Sequence, residues 1–76
     1  MTWNWRVVKT AYQEYEGAEP DFLYEIHEVY YNDDGKPDLV TSSAVSPCGG
    51  TRDELISDFT NMLGAFLKPT LNFEDF

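Results

Sequence analysis

Apolar residues recur at two different periods along this chain, and the change of period divides it. From Trp3 to Tyr15 (WNWRVVKTAYQEY) the residues are aromatic and β-branched, with Trp3, Trp5 and Val7 alternating with Asn4 and Arg6, which predicts a strand. The alternation slips at Val7-Val8, where a bulge or burial on both faces is expected. The polar run Glu16–Pro20 is the connection. A second strand is predicted over Phe22–Tyr31, with Phe22, Tyr24 and Ile26 on one face and Leu23, Glu25 and His27 on the other. Asn32-Asp33-Asp34-Gly35 is a hairpin turn with Gly35 free to take a left-handed conformation. A weaker third strand is predicted over Leu39–Val45, followed by the loop Ser46–Gly50.

From Thr51 the period lengthens. Leu55, Ile56, Phe59, Met62, Leu63, Phe66 and Leu67 follow helical spacing on one face, with Ser57, Asp58, Asn61 and Ala65 outside it. Thr51 and Glu54 form a capping-box pair, Asp53, Glu54 and Lys68 suit the helix dipole, and Pro69 ends the run. One helix over about 52–68 is expected, with its apolar face spent on the core. Gly64 in its middle is read as a point where another group comes close. The tail 70–76, carrying Leu71, Phe73 and Phe76, is too apolar to be free and is expected to lie extended on the sheet or the helix.

The order predicts a single α+β domain over 1–76: a three-stranded antiparallel β-meander with one C-terminal helix across one face (βββα). One helix covers only one sheet face. The aromatic residues left over must be covered by the tail, stay exposed, or meet another chain, so a homodimer or a protein-binding face is expected.

Composition changes this picture in two ways. With 76 residues, one cysteine and one histidine, the chain has no intrachain disulfide and no Cys/His cluster for zinc, so packing must stabilise it. Two tryptophans, five tyrosines and five phenylalanines supply that packing area. A lone thiol, no leader-like segment and no apolar run of membrane length suggest a reducing cytoplasm, that of a bacterial host if the chain is phage-encoded. Fourteen acids against five bases give a net charge of −9. Glu14, Glu16, Glu19, Asp21, Glu25, Glu28, Asp33, Asp34 and Asp38 fall in one stretch whose one base is Lys36. Such a surface disfavours direct nucleic-acid and membrane binding and steers toward a basic protein partner.

Ile26–Pro37 (IHEVYYNDDGKP), with Ser46, Pro47, Gly49, Thr51, Glu54, Leu55, Lys68, Pro69 and Leu71, resembles a small family of uncharacterised bacterial and phage proteins. Its pattern is IHEVYY, DGKP, an SPxG-like loop, TxxEL and a KPxL ending, and it spans roughly the last two thirds of the chain. The resemblance implies a fold and no reaction. Its phage members imply, by analogy, an acidic inhibitor of the anti-CRISPR kind that mimics nucleic acid.

Complete chemical constellations are missing. His27 has no partner nucleophile in the pattern, and a half-exposed histidine paired with a carboxylate is expected. Cys48 precedes a helix N-terminus, and an incidental loop thiol is the simpler reading. The Asn32–Gly35 turn lacks EF-hand ligands at Tyr30 and Thr41, and Gly49-Gly50-Thr51 lacks a P-loop pattern. No enzyme activity, metal or cofactor is expected. Two binding surfaces remain. The nine acids above form the first, where carboxylates two apart on a strand (Glu14/Glu16, Glu19/Asp21) would stand roughly 6–7 Å apart, near the phosphate spacing of a nucleic acid strand. Exposed Trp3, Trp5, Tyr12, Tyr24 and Tyr31 form the second.

Overall fold

The computed structural model describes residues 2–76. Four strands and one α-helix follow in the order β1 (Thr2–Tyr12), β2 (Asp21–Tyr31), β3 (Pro37–Val40), α1 (Arg52–Met62) and β4 (Leu71–Asn72). A 3-10 turn, Leu63–Leu67, continues α1, and another, Phe73–Asp75, follows β4. The α+β class is as predicted. The sheet is not an antiparallel meander: its order is β3-β2-β1-β4, and β4 joins β1 in parallel through Val8 and Lys9. The apolar tail supplies that fourth strand, which its extended alternation at Leu71 and Phe73 allows.

β1 and β2 pair without interruption from Thr2↔Tyr31 to Tyr12↔Asp21. The Val7-Val8 slip is therefore burial on both faces, since both valines lie in the core. The one irregularity falls at Tyr30/Tyr31, where β3 meets β2. β1 ends at Tyr12, short of the expected Tyr15; in the turn that follows, Gln13 Nε2 donates to the Ala18 carbonyl at 2.7 Å and Ala18 N–H to the Tyr15 carbonyl at 3.1 Å. β3 starts earlier than expected and stops at Val40. Beyond it the chain still borders β2, with Thr41 N–H donating to Glu28 O and Val45 N–H to Ile26 O, but no regular ladder forms. The β2–β3 turn is as read: Gly35 has φ 76°, and Asn32 Oδ1 accepts from the backbone N–H of Asp34 and Lys36.

The continuous register sorts the side chains. Asn4, Arg6, Val8, His27, Val29 and Tyr31 share one face, and Trp3, Trp5, Val7, Tyr24, Ile26 and Tyr30 share the other. The tail covers the first face, bringing the Phe73 ring to 5.9 Å from His27. The end of the helical segment meets part of the second, where Met62 borders Ile26 and Ala65 borders Trp5, and leaves Trp3, Phe22 and Tyr24 exposed. Val8 and Val29 are fully buried between the layers.

Both ends of the helix depart from expectation in detail. Thr51 Oγ1 accepts from Glu54 N–H at 3.1 Å, completing half of the capping box. The Glu54 carboxylate reaches one residue further back, accepting from Gly50 N–H at 2.8 Å. α1 ends at Met62, and the helix predicted to 68 tightens into the 3-10 turn, whose close approach to β1 is permitted by the small Ala65. Gly64 meets nothing within 4 Å of where a Cβ would lie, so it does not mark a close approach. Gly49 does: a Cβ there would stand 2.5 Å from the backbone nitrogen of Leu55.

Candidate functional site, an uncovered apolar helix face

The seven apolar residues of the helical segment were expected to enter the core. Met62 alone does so. Phe59 is 53% exposed, Phe66 64% and Leu67 88%, and Leu55, Ile56 and Leu63 are exposed as well. The cause is a rotation. At about 100° per residue in α1, Met62 lies at one edge of the apolar stripe, and Ala65, three residues on in the 3-10 turn, falls in line with it; these two buried residues face the sheet. The docking side is thus turned roughly 60° from the stripe's centre. Asp58, beside Met62 on that docking side, is half-buried and accepts from Cys48 N–H at 2.9 Å. This bond ties the incoming loop to the docking side. The body of α1 approaches the strands little; the Leu63–Leu67 turn carries the contact with β1.

A groove of about 290 Å³ runs beside the stripe, walled by Ile26 and Pro47 on one side and by Phe59, Met62, Leu63 and Phe66 on the other. Its lining is wholly apolar. Burying apolar area at about 25 cal/mol per Å² is favourable, so a face of this kind gains by being covered. The sequence pattern identified every residue of the stripe. It could not show which way the helix turns, because Ala65 and Gly64 carry no strong preference in a hydrophobicity pattern.

The aromatic candidates divide between the faces. Trp3 and Trp5 stack edge to face at 5.4 Å, and Trp3 lies 6.4 Å from Tyr30. Tyr24 is exposed on the same face, near Lys9, whose Nζ stands 4.0 Å from the Phe22 ring centre. Tyr12 and Tyr31 point to the opposite face. Tyr31 is not a free contact residue: its hydroxyl accepts from Arg6 Nη1 and donates to Asn4 Oδ1, both at 2.7 Å.

The nine acids divide as well. Glu14, Glu16, Glu19 and Asp21 cluster at one end of the β1–β2 hairpin, and Asp33, Asp34 and Asp38 at the other, eleven residues of strand away. At ~3.3 Å per residue the two groups are separated by roughly 30 Å. Glu14 and Glu16 lie beyond the end of β1 and Glu19 before β2, so the strand spacing expected of Glu14/Glu16 and Glu19/Asp21 does not arise. Glu25 and Glu28 are half-buried and project from opposite faces.

His27 is only 2% exposed, not half-exposed. Its Nδ1 lies 3.0 Å from the Thr41 carbonyl oxygen, which accepts in place of the expected carboxylate, and 3.3 Å from Thr41 Oγ1. Nε2 has no hydrogen-bond partner, so Cys48, which is exposed, does not pair with it. Arg6, directly opposite His27 and likewise buried, was hidden in the sequence: it stands at a polar position between Trp5 and Val7, with nothing to mark it as interior. Among the described residues no group of three or more His, Cys, Asp or Glu side chains is placed to hold a metal ion, and no helix is long and apolar enough to cross a membrane. No family model, curated protein or solved structure matches the chain.

Proposed function

We propose that this chain is a non-enzymatic protein-binding module whose contact surface is the uncovered stripe of α1 and the Leu63–Leu67 turn with its adjoining groove. The observation that carries this reading is the rotation of the helix, which buries Met62 and Ala65 and leaves Leu55, Phe59, Leu63 and Phe66 facing out. Contiguous apolar surface of this kind, free of charged side chains at its centre, is the composition of an interface core. The acidic hairpin ends then serve solubility and turn the protein away from nucleic acid and anionic membranes.

The acidic-inhibitor reading, in which the chain occupies a basic groove as a nucleic-acid mimic, is the second proposal. It draws support from the exposure of Glu14, Glu16 and Glu19 together at one hairpin end. The two readings respond oppositely to salt. A tagged chain co-expressed in bacteria with an untagged copy is recovered at low and high salt, and every retained protein is identified, the untagged copy included. Retention at high salt that is lost in Phe59→Asp supports the apolar surface. Steep loss with salt, matched by loss in a Glu14/Glu16/Glu19→Gln variant, supports the inhibitor.

A further inference from the structure

A chain of 8.7 kDa that folds compactly exposes about 4,700 Å² and has a radius of gyration near 11 Å. This chain exposes 5677 Å², and its radius of gyration is 14.3 Å. The excess of roughly 950 Å², to which the stripe and the exposed aromatic residues of the hairpin both contribute, is of the order of the ~800 Å² that each partner gives to a standard stable interface.

From this we infer that the stripe is covered by a second copy of the same chain, in a two-fold dimer built on α1 and the Leu63–Leu67 turn. The inference rests on the protein-binding reading above and names the protein bound. A two-fold interface must be self-complementary, so one patch has to offer both a projection and a recess. This patch does. Leu55, Ile56 and Phe59 form a ridge on the exposed side of α1, and the groove between Ile26–Pro47 and Met62–Phe66 lies alongside it. At about 290 Å³ the groove is roughly twice the ~150 Å³ apolar cavity that accepts a benzene ring, which leaves room for a Leu, Ile or Phe side chain. Each copy's ridge enters the other's groove. A pair burying roughly 800 Å² per chain falls within the ~1,200–2,000 Å² total of specific interfaces.

Charge points to the same occupant. Two chains of −9 repel, so they associate most readily through their least acidic surface, and Asp53 and Glu54 stand in the first turn of α1, before the stripe begins. From Leu55 to Leu67 the acid in the segment is Asp58, which lies on the docking side of the helix and is engaged by Cys48. A basic heterologous partner would be drawn instead to the hairpin ends. Screening by salt therefore tightens this dimer, whereas it weakens a charge-driven complex.

Sedimentation equilibrium of the purified chain, from low micromolar to sub-millimolar concentration and at low and moderate salt, tests the inference. A monomer–dimer equilibrium whose Kd falls as salt rises is expected. Phe59→Asp and, independently, Phe66→Asp should raise Kd by roughly 30-fold or more, the loss typical of a central contact residue, with circular dichroism unchanged. Tyr15→Ala at the hairpin end should leave Kd as it was. A monomer at all concentrations, or a dimer indifferent to both aspartates, overturns the dimer. Thiol labelling of Phe59→Cys in a Cys48→Ser background then separates the two proposals. Fast labelling of a monomer leaves the stripe open to another protein, and slow labelling shows the helix closed on its own sheet, which removes the protein-binding reading as well.

Discussion

Arg6 Nη2 donates to the carbonyl oxygen of Pro69 at 2.7 Å across 63 residues of sequence, fastening the end of the helical segment to the first strand. The same guanidinium donates to Tyr31 on β2, so one side chain joins β1, β2 and the start of the tail. Hydrogen bonds from a charged donor contribute about 1.5–3 kcal/mol each, and breaking a buried set leaves its partners unmet. Arg6→Lys keeps the charge but cannot span both acceptors. It should lower stability by about 2–3 kcal/mol in urea denaturation. Arg6→Met keeps the length of the stem but removes both bonds and leaves the Tyr31 hydroxyl and the Pro69 carbonyl without their donor, so it should cost at least as much. Losses below about 0.5 kcal/mol in both would mean that packing of the stem, not the paired bonds, is what Arg6 supplies.

Two glycines in the helical region should respond with opposite signs. A Cβ at Gly49 meets backbone atoms of Glu54 and Leu55 within 2.7 Å, and backbone cannot swing aside as a flexible side chain can. Gly49→Ala should cost about 1–3 kcal/mol by forcing the loop off the helix start. Gly64 has open space where its Cβ would be and a φ within the ordinary range. Gly64→Ala should stabilise by about 0.4–1 kcal/mol by restricting the unfolded chain. Thermal melts of the pair would show the two midpoints moving apart.

The strands, the β2–β3 turn and the Thr51 cap were legible because each depends on neighbours in sequence: alternation, a glycine with positive φ, a hydroxyl three residues before a backbone N–H. What escaped depends on contacts across the chain. The parallel pairing of Leu71 with Val8 requires the tail to return beside β1, and two residues of strand leave too short a pattern to announce it. The helix was read as facing the sheet with its most apolar side, and that would hold if burial within one chain were the sole demand on it. Ala65 against β1 shows a competing demand, close backbone approach, which favours a small residue over a large one. The acids read as one tract because Glu14 to Asp38 is continuous in sequence. A hairpin of two eleven-residue strands then carries its two ends apart.

The helix cap offers a local check on the start of the stripe. Thr51→Ala removes the acceptor for Glu54 N–H and should cost about 1 kcal/mol. Glu54→Gln keeps an acceptor for Gly50 N–H but loses the charge favoured near the helix N-terminus, so a smaller loss, about 0.3–1 kcal/mol, is expected. Amide exchange at Glu54 and Leu55 should quicken in Thr51→Ala while that at Val8 is unchanged, because fraying one helix end does not open the sheet.

His27 tests whether a buried polar residue here is catalytic apparatus or a packed spacer. Its ring fills the space between β2 and Phe73, its Nδ1 meets the Thr41 carbonyl, and Nε2 is left without a partner. Truncation to alanine should cost about 3 kcal/mol, since it opens a cavity under Phe73. His27→Leu restores most of the volume and removes the unmet nitrogen, and Thr41 is exposed enough for water to replace the lost donor. Its cost should therefore be within about 1.5 kcal/mol, the range for volume-conserving changes in a core. Urea midpoints for the two variants decide the matter: if leucine is as damaging as alanine, the bond to Thr41 outweighs the packing, and the ring's polarity, not its bulk, is what holds this part of the sheet to the chain beyond β3.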